Sequence, residues 1–477
     1  MNRDVAWFGI VDNEHTCVKE SSPAAARLPL KTRFAKAASW VLLGQILDNV
    51  LRLGGNLILA RLMIPDVFGI MAVASVVHMI VALLADIGVR QAVIQSPNGG
   101  KQSLLNTAWT LQILRGFLIW AICLVLALAL HIAGTWSIFP TGTVYADPVL
   151  PSVIAAVSFS AVLTGFQSMK SASANRAIDL KRLTMIGIAA QIASLCVAIG
   201  FGWLTGSLWS FVASGLVSAM LSTLLSHVWL PGPTDRVGWD RDALQELLRF
   251  GRWVFISSVF YVLAMNGDRI MLGAWATPAI LGYYSIAFTL TNVVDSTATR
   301  LFTAVSMPAL SEIARTAPHR VPNLFFRMRS LTDVVYVGLA GFFFATGAWI
   351  IGFLYDSRYA PAGPLLQFLS FSLLFSRYNL VTSVYLALGR PEYQSYVNVV
   401  RAVSLFVLVP ISYHLFGFEG AIVGIACHTV PTLPLIFWLN SRHGLNNILF
   451  EFAVLLMWPV GWAVGHAFIA IARNISW

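Results

Sequence analysis

The chain has 477 residues, 57% of them hydrophobic and only 11% charged, with 31 Lys and Arg against 21 Asp and Glu for a net charge of +10. Soluble proteins carry about 25% charged and about 45–50% apolar residues, so a water-soluble fold of this composition would lack the charge to stay dissolved. A cytosolic enzyme, a nucleic-acid binder and a disordered chain are excluded, which leaves a polytopic membrane protein.

Residues 1–35 lack the continuous apolar core of a signal peptide. Residues 1–36 read as a basic cytoplasmic tail, or in part as an over-long start. Beyond them, runs of roughly 20 mainly apolar residues mark spanning helices. They fall near 39–61, 68–89, 104–132, 149–168, 183–203 and 206–229. The polar stretch PGPTDRVGWDRDALQELLRFGR follows, and the runs resume near 253–274, 280–303, 331–354, 364–388, 398–416, 419–439 and 448–471. The expected organisation is a six-helix lobe at 37–230, a cytoplasmic linker at 231–250, a second six-helix lobe at 251–440 and one additional helix at 445–472.

With the N-terminus in the cytoplasm, the inner loops receive nearly all the Lys and Arg. These include Lys170, Arg176, Arg236, Arg241, Arg327, Arg329, Arg390 and Arg401, while the outer side receives only Arg61, Arg358 and Arg473. This follows the positive-inside rule, so most of the positive balance reports topology. Cys123, Cys196 and Cys427 lie in apolar runs and Cys17 in the tail, with no CxxC pair. They read as small hydrophobes, and neither a metal site nor a cofactor is expected. No loop is long enough for an extramembrane catalytic domain.

Two segments align without gaps: LARLMIPDVFGIMAVA from Leu59 and LGAWATPAILGYYSIA from Leu272. Pro65 matches Pro278, and Gly69 matches Gly282. Each segment closes one outward-running helix, turns at a proline and opens the next. Both copies run the same way through the membrane. The predicted fold is therefore all-α, with two parallel six-helix lobes related by an axis along the membrane normal and a path between them.

LARLMIPDVFG, ADIGVRQAVIQ and TAWTLQILRG in the first lobe resemble bacterial polysaccharide flippases of the Wzx-like kind. In the second lobe NGDRIMLGAWATPAILGYYSIAFTL, MPALSEIA, YDSRYAPAGPLLQFLS and YLALGRPEYQ extend the likeness, which runs from about residue 33 to residue 440. These proteins belong to the multidrug/oligosaccharidyl-lipid/polysaccharide (MOP) exporter superfamily. The resemblance implies a transporter, not an enzyme. It would move oligosaccharide on an undecaprenyl pyrophosphate carrier across the bacterial inner membrane, for exopolysaccharide or O-antigen synthesis. Partners would be the lipid-linked oligosaccharide, the bilayer and the polymerase and export machinery, with no nucleic acid. The resemblance also implies an acid at the position of Asp268.

Charged residues at helix centres cost about 2.5–3.5 kcal/mol on insertion scales and tend to be functional. Arg52 lies deep in the first helix one turn after Asp48, in a polar stripe with Gln45 and Asn56. Arg115 follows Gln112 in the third span, and Arg377 lies in LLFSRYNLVTS. A guanidinium fork matches phosphate oxygens, so Arg52, Arg115 and Arg377, with Asn56 and Gln112, are the candidates for a pyrophosphate and glycan cavity. The plainer reading of Arg52 is a pair with Asp48, and that of Arg115 a salt bridge to Asp48 or Asp86. Asp48, Asp268, Arg269 and Asp295 are candidates for ion coupling or charge pairing. Asp268 and Arg269 are adjacent, so they should point to different partners. His78 and His466 read as helix-packing residues. Two other functions fit the composition: a membrane glycosyltransferase or polymerase on the same carrier, and a small-molecule exporter of the same superfamily. The first would need an acidic site and a sizeable outer loop. The second would favour buried acids over arginines.

Overall fold

The computed structural model describes residues 30–475 except 87, 97 and 178, and among these there is no strand. The first lobe holds α1 (Leu30–Leu62), α2 (Pro65–Leu84), the short α3 (Val89–Gln95), α4 (Gln102–Thr135), α5 (Leu150–Gly165), α6 (Lys170–Arg176), α7 (Leu180–Thr205) and α8 (Trp209–Val228). The second holds α9 (Arg241–Trp275), α10 (Pro278–Thr316), α11 (Val321–Leu354), α12 (Ala362–Ser376), α13 (Asn379–Ala387), α14 (Pro391–Cys427) and α15 (Thr432–Ser441). Two further helices close the chain, α16 (Ile448–Leu455) and α17 (Met457–Ile475).

Among the described residues seven helical stretches are long and apolar enough to cross a membrane, and α5 with α6 forms a further pair bent by 67°. The helices α1, α9 and α10 are longer than most, at 33, 35 and 39 residues, but more polar. Of these, α9 and α10 pack against α2 of the first lobe, while α1 packs mainly on α7. Every expected span thus has a helical counterpart, and the fold is the expected all-α membrane architecture of two parallel lobes with an added C-terminal element.

The boundaries differ in instructive ways. The expected tail at 1–36 lies mostly outside the described residues, but α1 starts at Leu30. The expected linker at 231–250 is shorter, because α9 begins at Arg241, where the Asp240 side chain accepts from the amides of Asp242 and Ala243. The remaining strand of linker is tied to the first lobe. Asp235 accepts from the Ser168 hydroxyl at 2.5 Å and the Met169 amide at 3.1 Å, and Gly238 exchanges hydrogen bonds with Thr110. The two expected spans at 398–416 and 419–439 meet at Gly417, whose φ of 67° and ψ of −152° break α14. Glycine alone adopts that conformation without steric cost.

The repeat found in the sequence becomes a contact in the fold. The helix α2 packs against α9 and α10. A Cβ on Gly69 would lie 2.0 Å from the Pro278 carbonyl oxygen, and one on Gly282 would lie 2.0 Å from the Pro65 carbonyl oxygen. The matched residues therefore face each other across the lobe boundary. Two straps reinforce the same end. A 3₁₀ turn at Val144–Ala146 in the first lobe reaches the end of α9: Val144 donates its amide to the Ala276 carbonyl at 3.2 Å, and Tyr145 its hydroxyl to the Ile270 carbonyl at 2.9 Å. Its counterpart at Ser357–Tyr359 in the second lobe reaches the end of α1. There the Tyr359 hydroxyl donates to the Met63 carbonyl at 2.9 Å, and Arg358 Nη2 to the Arg61 carbonyl at 3.0 Å. Each strap satisfies helix-terminal carbonyls of the opposite lobe. One hydrophobic cluster, including Met63, Phe68, Leu272, Tyr284 and Tyr359, runs through both lobes here.

The added element docks on the second lobe through glycines. A Cβ on Gly341 of α11 would meet the Trp458 carbonyl oxygen at 2.1 Å, and one on Gly461 of α17 the Gly338 carbonyl oxygen at 2.0 Å. Small residues let helix backbones approach this closely in a bilayer.

Candidate functional site

A cavity of about 520 Å³ lies inside the second lobe, within the range of about 300–1,000 Å³ that small-molecule sites occupy. Its walls come from α9, α10, α12, α13, α14 and the turn that follows α14. All of its lining residues belong to the second lobe, although the repeat led us to expect a path between the lobes.

Two of the expected acids line it, Asp268 and Asp295. Asp268 is only 4% exposed. Its Oδ2 accepts from the Tyr284 hydroxyl of α10, while its Oδ1 has no hydrogen-bond partner. Asp295 sits one helix away, ringed by Ser376, Tyr336, Thr299 and Arg401. Arg269 turns aside as the helical geometry requires. Its Nη1 donates to Asn266 Oδ1 at 3.0 Å, and its guanidinium lies 3.9 Å from the Phe288 ring centre. Arg300, Arg401, Asn398 and His428 complete the polar wall.

Of the arginines expected to hold the anion, none lines this cavity. Arg52 Nη2 pairs with Asp48 Oδ2 at 2.9 Å, the i, i+4 pair the sequence allowed, and its side chain stays 59% exposed. On the same stripe Gln45 donates to Asn49, which in turn donates to Thr297 of α10 at 3.4 Å, while Asn56 is half-buried. Arg115 pairs with Asp86 at 3.1 Å and donates to the Ala82 carbonyl at 2.9 Å. Gln112 is buried and does a backbone task. Its amide donates to the carbonyls of Thr164, Gly165 and Gln167, where α5 ends and the chain bends into α6.

Arg377 departs furthest from the expected role. It lies 5% exposed in a neutral cluster of four charges. Its Nη1 is 3.3 Å from Asp333 Oδ2, and its Nη2 is 3.0 Å from Glu451 Oε2. Arg329 pairs with the same two acids, at 3.1 Å to Asp333 and closely to Glu451. The Tyr378 hydroxyl donates to Glu451 at 2.9 Å. Two guanidiniums and two carboxylates cancel, which is how charges survive burial. Arg377 is therefore taken up in fastening α16 to α11 and α12, since Glu451 comes from α16.

Apolar runs alone did not find Arg329, Asp333, Glu451 and Arg401. Both arginines count among the inner-side charges, Arg329 just before the run at 331–354 and Arg401 three residues into the run at 398–416. In the fold α11 begins at Val321 and α14 at Pro391, and both arginines are buried. The i, i+4 spacing of Arg329 and Asp333 was a usable signal, the same one that paired Asp48 with Arg52.

Comparison with known proteins agrees with this architecture. Residues 58–364 match the family described as polysaccharide biosynthesis protein. The lipopolysaccharide biosynthesis protein WzxC of Escherichia coli K12 is 20% identical over 439 residues, covering 91% of this chain and 86% of that protein. A membrane protein from the cps region of Klebsiella pneumoniae is 21% identical over 423 residues, covering 86% of this chain and 83% of its own. Among solved structures, the lipid II flippase MurJ in an inward closed conformation superposes with a TM-score of 0.64 at 11% identity, covering 91% of this chain and 99% of that one. An inward-facing multidrug resistance MATE transporter gives 0.61 at 13% identity, covering 90% and 96%. The chain belongs to the polysaccharide biosynthesis protein family, as a Wzx-like membrane transporter with the fold of the MOP superfamily.

Proposed function

We propose that this chain flips an oligosaccharide carried on undecaprenyl pyrophosphate from the inner to the outer leaflet of the bacterial inner membrane. The observation that carries the reading is a cavity of about 520 Å³ with two acids and two arginines in its wall, lined by helices of a two-lobed member of this family. Unlike the closed cluster around Arg377, this wall faces open space, which suits a polar ligand.

The N-terminus is cytoplasmic in this reading, because that orientation keeps Lys and Arg inside. The strapped end, where α1 and α9 finish, is then the outer end. Transport by alternating access requires the straps and the Gly69–Pro278 and Gly282–Pro65 contacts to part, so that the lobes can open outward. Arg52, with its guanidinium more than half exposed beside Asn56, is the expected arginine best able to meet the pyrophosphate. Coupling to an ion gradient belongs at Asp268 or Asp295, since Asp48 is engaged by Arg52. The polymerase and export machinery of the same polysaccharide are the expected partners. Arg300 and Arg401 in the cavity wall weigh against an organic cation, the cargo of a drug exporter.

The experiment is deletion of the gene in the producing strain. The expected result is complete lipid-linked glycan trapped on the cytoplasmic face, released when the intact gene is restored. Accumulation of an unextended precursor, or of the finished lipid on the outer face, would sink the flippase reading.

A further inference from the structure

Much of the polar wall is particular to the second lobe, although Thr291 and Thr299 fall opposite His78 and Asp86. The offset that carries Pro65 onto Pro278 carries Gly55 onto Asp268, Met79 onto Asn292 and Ala82 onto Asp295. The straps at Val144–Ala146 and Ser357–Tyr359 obey the same offset. Carried into the helices that follow them, it places Phe159 at Ser372, Leu163 at Ser376 and Phe166 at Asn379. The lobes share a backbone plan, but only the second converts these positions to hydrogen-bonding groups.

The chemistry of that wall is selective. Asp268 and Asp295 accept, Arg300 and Arg401 donate, and Asn398 and Gln394 do both. A diphosphate only accepts, and it would meet two carboxylates. An organic cation would be drawn to the carboxylates but repelled by two guanidiniums. A neutral sugar matches the wall, because each hydroxyl both donates and accepts. The Phe288 and Phe375 rings offer apolar surface for the faces of sugar rings. From Phe288 to Arg300 the cavity follows α10 for about 18 Å, which suits an extended saccharide. Asp268 is nine-tenths buried with one unpartnered oxygen, a group poised for a ligand.

We propose that this second-lobe chamber is a saccharide subsite that takes neutral, hydroxyl-bearing sugars of the transported headgroup and leaves the diphosphate outside. The proposal rests on the flippase reading and deepens it.

The test uses the full chain in nanodiscs of phosphatidylethanolamine and phosphatidylglycerol, with the photo-crosslinker benzoylphenylalanine at position 375 or, as the first-lobe control, at position 159. The probe is the total lipid-linked glycan extracted from the producing strain. Irradiation should give a sugar-bearing adduct at 375 and little at 159. Glycan released from its lipid by mild acid should compete with the adduct, and inorganic pyrophosphate should not. Asn398→Ala should weaken capture roughly tenfold, the loss of one buried hydrogen bond to a strong partner, and Asp268→Asn should do the same if it folds. Competition by pyrophosphate, equal adducts at both positions, or full capture by Asn398→Ala would each overturn the subsite. If deletion of the gene still traps glycan inside while any of these results is found, the subsite fails and the flippase reading stands.

Discussion

Gly69 and Gly282 occupy equivalent places in the two halves of the chain, and each lies against the carbonyl of the other half's proline, Pro278 and Pro65. The contact is backbone against backbone, so neither side can yield by turning a side chain. Gly69→Ala or Gly282→Ala should cost about 1–3 kcal/mol, as overpacking does, and should lower the melting temperature and the yield of monodisperse protein. Gly54→Ala is the control, with nothing within 4 Å of the added Cβ. If Gly69→Ala melted like Gly54→Ala, the close apposition of the lobes would be wrong.

In the strap at Ser357–Tyr359 the Tyr359 ring is buried but Arg358 is exposed, so this arginine should govern conformation more than stability. Arg358 Nε donates to Asp356 Oδ2 at 3.0 Å while its Nη2 reaches the Arg61 carbonyl. Arg358→Ala should change stability by no more than about 1 kcal/mol. It should nonetheless raise labelling of a cysteine placed at Ile70, a buried position just inside the straps, as outward opening becomes easier. Unchanged labelling would show that the strap does not gate.

That strap also makes a pH prediction. The Arg358 guanidinium, donating to Asp356, holds its carboxyl below the ordinary carboxylate value. A depressed acid contributes stability that is fully present above its unfolded value of about 3.9 and is lost as pH falls through its folded value. Wild type and Asp356→Asn should therefore differ in melting temperature at neutral pH and converge in acid. A gap that widened on acidification would contradict the pairing.

The buried cluster should behave as a unit. Glu451→Ala leaves Arg329 and Arg377 with one acid between them, and should cost about 3–5 kcal/mol. It should also free α16 and α17, visible as faster proteolysis near residue 445. Removing a balanced pair, Arg377→Met with Glu451→Gln, should cost less than the two single losses added together, a coupling that a double-mutant cycle measures.

Arg115 separates a structural from a substrate role. Arg115→Ala strands Asp86 in the first lobe and should lower both stability and export. Exchanging the charges, Arg115→Asp with Asp86→Arg, should recover a good part of both if the pair is structural. If stability recovered and export did not, Arg115 would have to touch the transported anion.

Much of this protein was legible without coordinates. Apolar runs of bilayer length dictate spanning helices whatever they pack against. A gapless repeat dictates two lobes, and Pro65, Gly69, Pro278 and Gly282 already marked their seam. Local spacing was enough to pair Arg52 with Asp48. What the tertiary structure alone decided is which charges are paired and which line the cavity. Arg377 is neutralised by Glu451, which arrives from a helix beyond both lobes, and Arg401 of α14 comes into the same cavity wall as Asp268 of α9 and Asp295 of α10. Burial and pairing depend on contacts between residues far apart in the chain, and hydropathy read along one segment contains no information about them.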